Sequence, residues 1–225
     1  MNNRIPLIVS FSVAAAMLGA SLWAWPLIPA GTPIPIHWGA NGTPDHFANS
    51  PLALFMAPAM AGLIAVLFWG IPWLEPRRLN LIASSKFYRA SWISVILLIG
   101  VSHGVGLYSV LHAGVQVGSI IIAAVCLMMI VMGNYMGKTR SMFLGGVRTP
   151  WTLSSEYSWQ RTHSLAGKLF IAAGALGFAA TITLPTKDAS HVFLVAMVAA
   201  VVLSVVASFV FWWRDPDRKP GDTAP

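Results

Sequence analysis

Six stretches of this chain are each long enough to cross about 30 Å of hydrocarbon, which takes ~20 apolar residues in a helix. They run roughly over Pro6–Ile28, Leu52–Leu74, Ala90–Leu111, Val115–Met136, Leu165–Leu184 and His191–Trp213, broken by small, hydroxyl, proline or single histidine residues and, near their ends, by Gln116, Asn134 and Lys168. A backbone facing lipid must satisfy its own hydrogen bonds, so such runs are helices or closed barrels. The strict alternation of a barrel strand is missing. The expected fold is therefore an all-α membrane protein with six transmembrane helices.

Composition excludes the alternatives. Hydrophobic residues make up 56% of the 225 and charged ones only 9%, against about 25% charged in an ordinary soluble domain. Fourteen Lys and Arg are scattered between apolar runs, which leaves no basic patch for nucleic acid. The apolar run from Ile5 to Ile28 exceeds the ~7–15 residues of a secretory signal core and reads as a retained helix. A lone Cys126 makes no internal disulfide and reads as a small core residue.

The connections alternate in charge. Arg4, then Arg77, Arg78, Lys86 and Arg89, then Lys138, Arg140, Arg148 and Arg161 with Lys168 just inside the next helix, then Arg214, Arg218 and Lys219 fall on one side, and only Lys187 on the other. Positive charge collects in cytoplasmic loops, so both termini are expected inside. Trp23 and Trp25 are read as belt residues at the outer end, and Trp73, Trp92, Trp212 and Trp213 at the inner end. Gly100/Gly104, Gly114/Gly118 and Gly133/Gly137 are candidate small-xxx-small packing steps. His103, well inside a span, reads as a proton relay or as a packing histidine bonded to a neighbouring carbonyl or hydroxyl.

Two polar segments stand out. The outer loop, 29–51, enters through Pro29, Pro33 and Pro35, which stiffen it, and turns at Asn41-Gly42 and Pro44-Asp45. It is expected to form an ordered cap. His37, Asp45 and His46 invite a metal reading, but their spacing is not diagnostic and no fourth ligand is evident. The preferred reading has no metal and no cofactor, with His and Asp holding turns together.

The cytoplasmic segment between helices 4 and 5 carries Asn134, then Arg148-Thr149-Pro150-Trp151, read as an extended stretch anchored by an indole. Ser154 is the expected N-cap of a helix with Glu156 in its first turn, and Arg148 is expected to pair with a carboxylate, Glu156 being nearest, or with backbone carbonyls. Trp159 and His163 lie four apart on one face. The tail from 214, with three prolines, reads as disordered.

These segments resemble the SdpI family of bacterial membrane proteins. The Pro35-Ile36-His37-Trp38 and Gly42-Thr43-Pro44-Asp45 runs are similar to the short domain of unknown function that commonly precedes the SdpI domain. Gly133 to Lys138, Arg148 to Leu153, and Trp159, Thr162, His163 and Gly167 match the family's polar runs. One departure is Arg140-Ser141-Met142-Phe143, where the family has Pro-Asn after the arginine. The resemblance implies a two-helix unit over 1–75, an SdpI-like four-helix region over 76–213 and a tail over 214–225. It also implies a multi-pass protein of the bacterial cytoplasmic membrane that protects against a secreted antimicrobial peptide and holds a repressor-type protein at the membrane.

Candidate binding residues are His37, Trp38, Asn41, Asp45 and His46 outside, and Asn134, Arg148, Trp151, Glu156, Trp159 and His163 inside. A solute transporter or channel is the alternative, weakened by the scarcity of ionisable residues within spans. A membrane hydrolase is less favoured, since neither a Gly-x-Ser-x-Gly elbow nor a His-Glu-x-x-His helix occurs. Glu156 and His163, seven apart, remain a conceivable acid–base pair.

Overall fold

The computed structural model describes residues 1–39, 41–112 and 114–218. Six of its helices are long and apolar enough to cross a membrane. They are α1 (Arg4–Ala24), α2 (Leu52–Leu74), α4 (Ser85–Leu111), α5 (Val117–Met136), α7 (Glu156–Thr183) and α8 (Thr186–Trp213), with short α3 (Arg78–Ala83) and α6 (Pro150–Ser154) between them. Three of the spans begin well before the apolar runs do. Lys86 and Arg89 lie inside α4, and Arg161 and Lys168 inside α7. Hydropathy registers only the lipid-facing length, whereas backbone hydrogen bonds carry each helix on into water, where long basic side chains keep their heads solvated.

An all-helical chain is not what folds. Strands β1 (Pro33–Trp38) and β2 (Pro44–Asn49) pair antiparallel over one end of the bundle. Proline cannot donate to a ladder, and a two-stranded sheet tolerates it because both strands are edges. The turn closes through Gly39 N–H to Thr43 O at 2.9 Å, with Gly42 at φ +78° and the Asn41 side chain accepting from Thr43 N–H.

Helices α1, α2 and α4 pack on one another, as do α5, α7 and α8, and α4 against α5 joins the two groups. The first group closes around Trp92, which is 0% exposed and donates its indole N–H to Ser10 Oγ at 3.0 Å. Trp92 is thus a core residue rather than a belt residue, and Trp212 is buried too, whereas Trp23, Trp25, Trp73 and Trp213 are exposed. The distinction is one of helix face, which hydropathy does not see.

In the second group backbones touch. A Cβ on Gly133 would meet Gly167 O at 2.6 Å, and one on Gly174 would meet Cys126 O at 2.7 Å. Of the expected small-residue steps, Gly133/Gly137 faces α7, while Gly104 has nothing within 4 Å. Gly118 serves the cap instead, its Cα lying against Gly42.

The tail departs from expectation over 214–218. Ser155 donates to the Asp215 carboxylate, and the Arg218 guanidinium stacks 4.3 Å from the Trp212 ring. The remainder of the tail, 219–225, lies outside the described residues.

Candidate functional site

The two polar segments lie at opposite ends of the bundle. At the hairpin end, register decides which side chains meet. His37 pairs with His46, and the flanking pairs are Pro35–Phe47 and Trp38–Pro44. That leaves Ile36 as an extra residue on one strand and Asp45 as an extra residue on the other. Two bulges therefore flank the histidine pair, and bulges re-aim side chains. Asp45 and His46, adjacent in sequence, would otherwise point to opposite faces. Here both reach His37.

The Nδ1 atoms of His37 and His46 lie 2.6 and 3.1 Å from the same oxygen, Asp45 Oδ1. The rings stand edge to face with centroids 5.5 Å apart. The hydrogen bond from His37, helped by that from His46, holds the Asp45 carboxyl below the ordinary carboxylate range. All three residues are open to solvent.

Beneath the hairpin lies an apolar cavity of about 380 Å³ between β1, α2 and α4. Trp38 forms part of its wall and rests on α4, where a Cβ on Gly106 would meet the indole at 3.0 Å. His103 lines it as well. Its Nε2 is 3.1 Å from Ser21 Oγ, whose own proton goes to Leu54 O at 2.6 Å. His103 Nε2 therefore donates to the hydroxyl, tying α4 to α1 and α2. This is the geometry of a histidine bonded to a neighbouring hydroxyl, as the packing reading expects.

At the other end the chain between α5 and α7 is clamped from several sides. Glu75, just past α2 and only 4% exposed, accepts the backbone N–H groups of Arg77 at 2.9 Å, Phe143 at 3.0 Å and Leu144 at 2.7 Å. A buried carboxylate is tolerated when its lone pairs are filled this way. Arg77 donates to Ser141 Oγ and to Leu153 O, and Asn80 donates to Ser141 O at 2.7 Å. The stretch where the sequence departs from the family pattern is thus held by α2 and α3.

Further along, Arg148 donates to Phe143 O at 2.6 Å, so its partner is a backbone carbonyl. Glu156 pairs instead with Arg140 at 3.5 Å. The segment after Arg148 is helical rather than extended. Thr149 caps α6 through a reciprocal box with Thr152, and Pro150 takes the first helical position, where a missing N–H costs nothing. Ser154 ends α6, and the N-cap of α7 is Ser155, which accepts from Ser158 N–H.

On α7, Trp159 and His163 stack with centroids 3.9 Å apart. His163 Nδ1 donates to Trp159 O at 2.8 Å and Nε2 accepts from Val147 N–H at 2.9 Å. The imidazole is occupied at both nitrogens and forms no acid–base pair with Glu156. Trp151 packs edge-on against Phe209 of α8, and Asn134 stands exposed in the last turn of α5.

Sequence reasoning missed Glu75, Arg77, Asn80 and Ser141 at the clamp, and Ser21 at the cavity. Only Glu75 carried a signal, as a single acid closing an apolar run before Pro76-Arg77-Arg78.

This architecture defines a multi-pass helical membrane protein with a hairpin cap over one end and an ordered polar loop at the other. Residues 138–211 match the model of the SdpI/YfhL protein family, and residues 13–62 match that of a domain of unknown function, DUF1648. A relative named Immunity protein SdpI, from Bacillus subtilis (strain 168), is 25% identical over 185 residues, covering 80% of this chain and 83% of its own. The chain is thus similar to the SdpI family over residues 138–211. No solved structure matches it.

Proposed function

We propose that this protein is an immunity protein of the bacterial cytoplasmic membrane that captures a secreted antimicrobial peptide at its hairpin end. The observation that carries the reading is the cavity roofed by β1, an apolar recess beside exposed polar side chains. A membrane-active peptide offers the matching pair of features, an apolar side chain for the recess and a polar backbone for the rim. The relative that shares most of its length with this chain bears an immunity name, which supports the class.

The hairpin end carries Lys187 as its sole Lys or Arg, while the basic residues gather at the clamp end. The positive-inside rule then puts the hairpin outside, the clamp and both termini in the cytoplasm, and the cavity beneath the hairpin on the side where a secreted peptide arrives. On the inner face, the exposed Arg140, Arg148 and Glu156, held on an ordered segment, form a surface suited to a repressor-type protein.

The test is to express the chain in a toxin-sensitive host and compare survival with the amount of protein in the membrane. Protection by the unmutated chain, lost in Trp38→Ala at unchanged protein level, is the expected result. Survival that tracks only protein level across hairpin and clamp variants would remove the site assignment.

A further inference from the structure

We infer that His37, Asp45 and His46 form a site for a divalent transition-metal ion, with Zn²⁺ the best match, on the outer surface of the hairpin. Two imidazoles and one carboxylate are the ligand types that zinc takes in three-ligand sites. The three donor atoms all lie within 4.8 Å of one another. Zinc bonds of ~2.0–2.2 Å place such donors a little over 3 Å apart, so small side-chain rotations suffice.

The convergence is built by the fold. A regular ladder would turn Asp45 away from the His37–His46 pair, and the bulge at Asp45 turns it back. Both Nδ1 atoms already address one carboxylate oxygen, at 2.6 and 3.1 Å. The metal would take the place of the two Nδ1 hydrogens, and each neutral ring would then carry its proton on Nε2. No oxidation or group transfer is involved.

The hairpin that carries these ligands has a fixed seat. Gly42 at its turn lies against Gly118, and Trp38, next to His37, lies against Gly106. Such seating lowers the entropic cost of gathering the ligands. Three protein ligands leave a fourth position open to water or to a donor from another molecule. The site would thus lock the roof of the cavity. The inference stands whether or not the immunity reading does, because it concerns ion binding alone.

The experiment uses the full chain, free of any histidine tag, in detergent micelles. Zn²⁺ affinity is measured by competition with a chromogenic chelator, and geometry by the visible absorption of bound Co²⁺. One ion per chain is expected. His37→Ala, His46→Ala and Asp45→Asn should each weaken binding by at least about tenfold, the loss that even outer-shell changes produce. His112→Gln and His191→Gln, exposed histidines elsewhere, should leave it unchanged. His46→Gln, which keeps a hydrogen-bonding side chain on the hairpin, separates lost ligation from lost folding. It should lose the Co²⁺ band while its melting temperature without metal stays the same. Undiminished uptake in the His37→Ala/Asp45→Asn/His46→Ala triple variant would overturn the proposal. So would the absence of any stoichiometric binding to the unmutated chain.

Discussion

The imidazole of His163 holds the backbone of Val147, accepting its N–H at Nε2 over 2.9 Å while Nδ1 is spent on Trp159 O. A span is thereby hydrogen-bonded to the loop that precedes it. Gly146, at φ +90°, lets that loop pass so close that a Cβ there would run into the ring. His163→Ala removes the acceptor and leaves a shielded N–H without a partner, at a cost of about 1–3 kcal/mol. Gly146→Ala adds both a strained φ and a clash. Both variants should melt at lower temperature than the parent in the same detergent, measured by intrinsic tryptophan fluorescence.

Glu75 should behave as a structural anchor. Glu75→Gln keeps the shape but brings an NH₂ group against the N–H donors of Phe143 and Leu144. Loosening of the clamped loop follows. Amide hydrogen exchange at Phe143 and Leu144 should accelerate at least about tenfold, the equivalent of 1.4 kcal/mol, while exchange in the middle of α8 stays the same.

Two glycines, Gly167 on α7 and Gly104 on α4, should divide sharply. Gly167→Ala drives a Cβ to 2.5 Å from Gly133 O, so α5 and α7 must part. Gly104→Ala meets nothing within 4 Å and gains helix propensity. Thermal stability should fall by about 1–3 kcal/mol in the first and hold or rise slightly in the second.

Topology has a direct check. The Cys126→Ser chain carrying a single new cysteine at Thr43 should react with a membrane-impermeant maleimide in intact cells. The same background with cysteine at Arg148 should react only after the membrane is opened. Labelling at Arg148 in intact cells would reverse the proposed orientation.

The two ends should separate in function. Trp38→Ala opens the cavity wall and should reduce protection against a peptide toxin at constant membrane level. Arg148→Ala, which loses only the bond to Phe143 O among the described residues, should leave protection intact and weaken retention of any cytoplasmic partner. Survival curves and co-purification from the same cells provide the readout.

The six spans were legible in the sequence because lipid imposes one requirement, length of apolar helix, which reads residue by residue. Charge asymmetry was legible for the same reason, and the motifs around Trp159 and His163 sufficed to indicate the resemblance to the SdpI family. Helix ends were not, since Lys86 and Arg161 look like loop residues until backbone bonding shows them inside α4 and α7. Which face of a span is buried was equally hidden. Trp92 and Trp213 are the same residue type near the same end, and only packing makes one buried and the other exposed.

What tertiary structure alone decided is every contact made across long stretches of chain. The hairpin register that turns Asp45 toward His37 depends on two bulges, and a bulge is a choice of pairing between strands, not a property of either. The Glu75 clamp joins residues 68 and 69 positions apart, and the His103 tie reaches Ser21 across 82. Local propensity carries no information at such separations. Sequence fixes which segments enter the membrane because transfer free energy adds up along the chain; packing fixes which polar groups meet because that depends on which helices become neighbours.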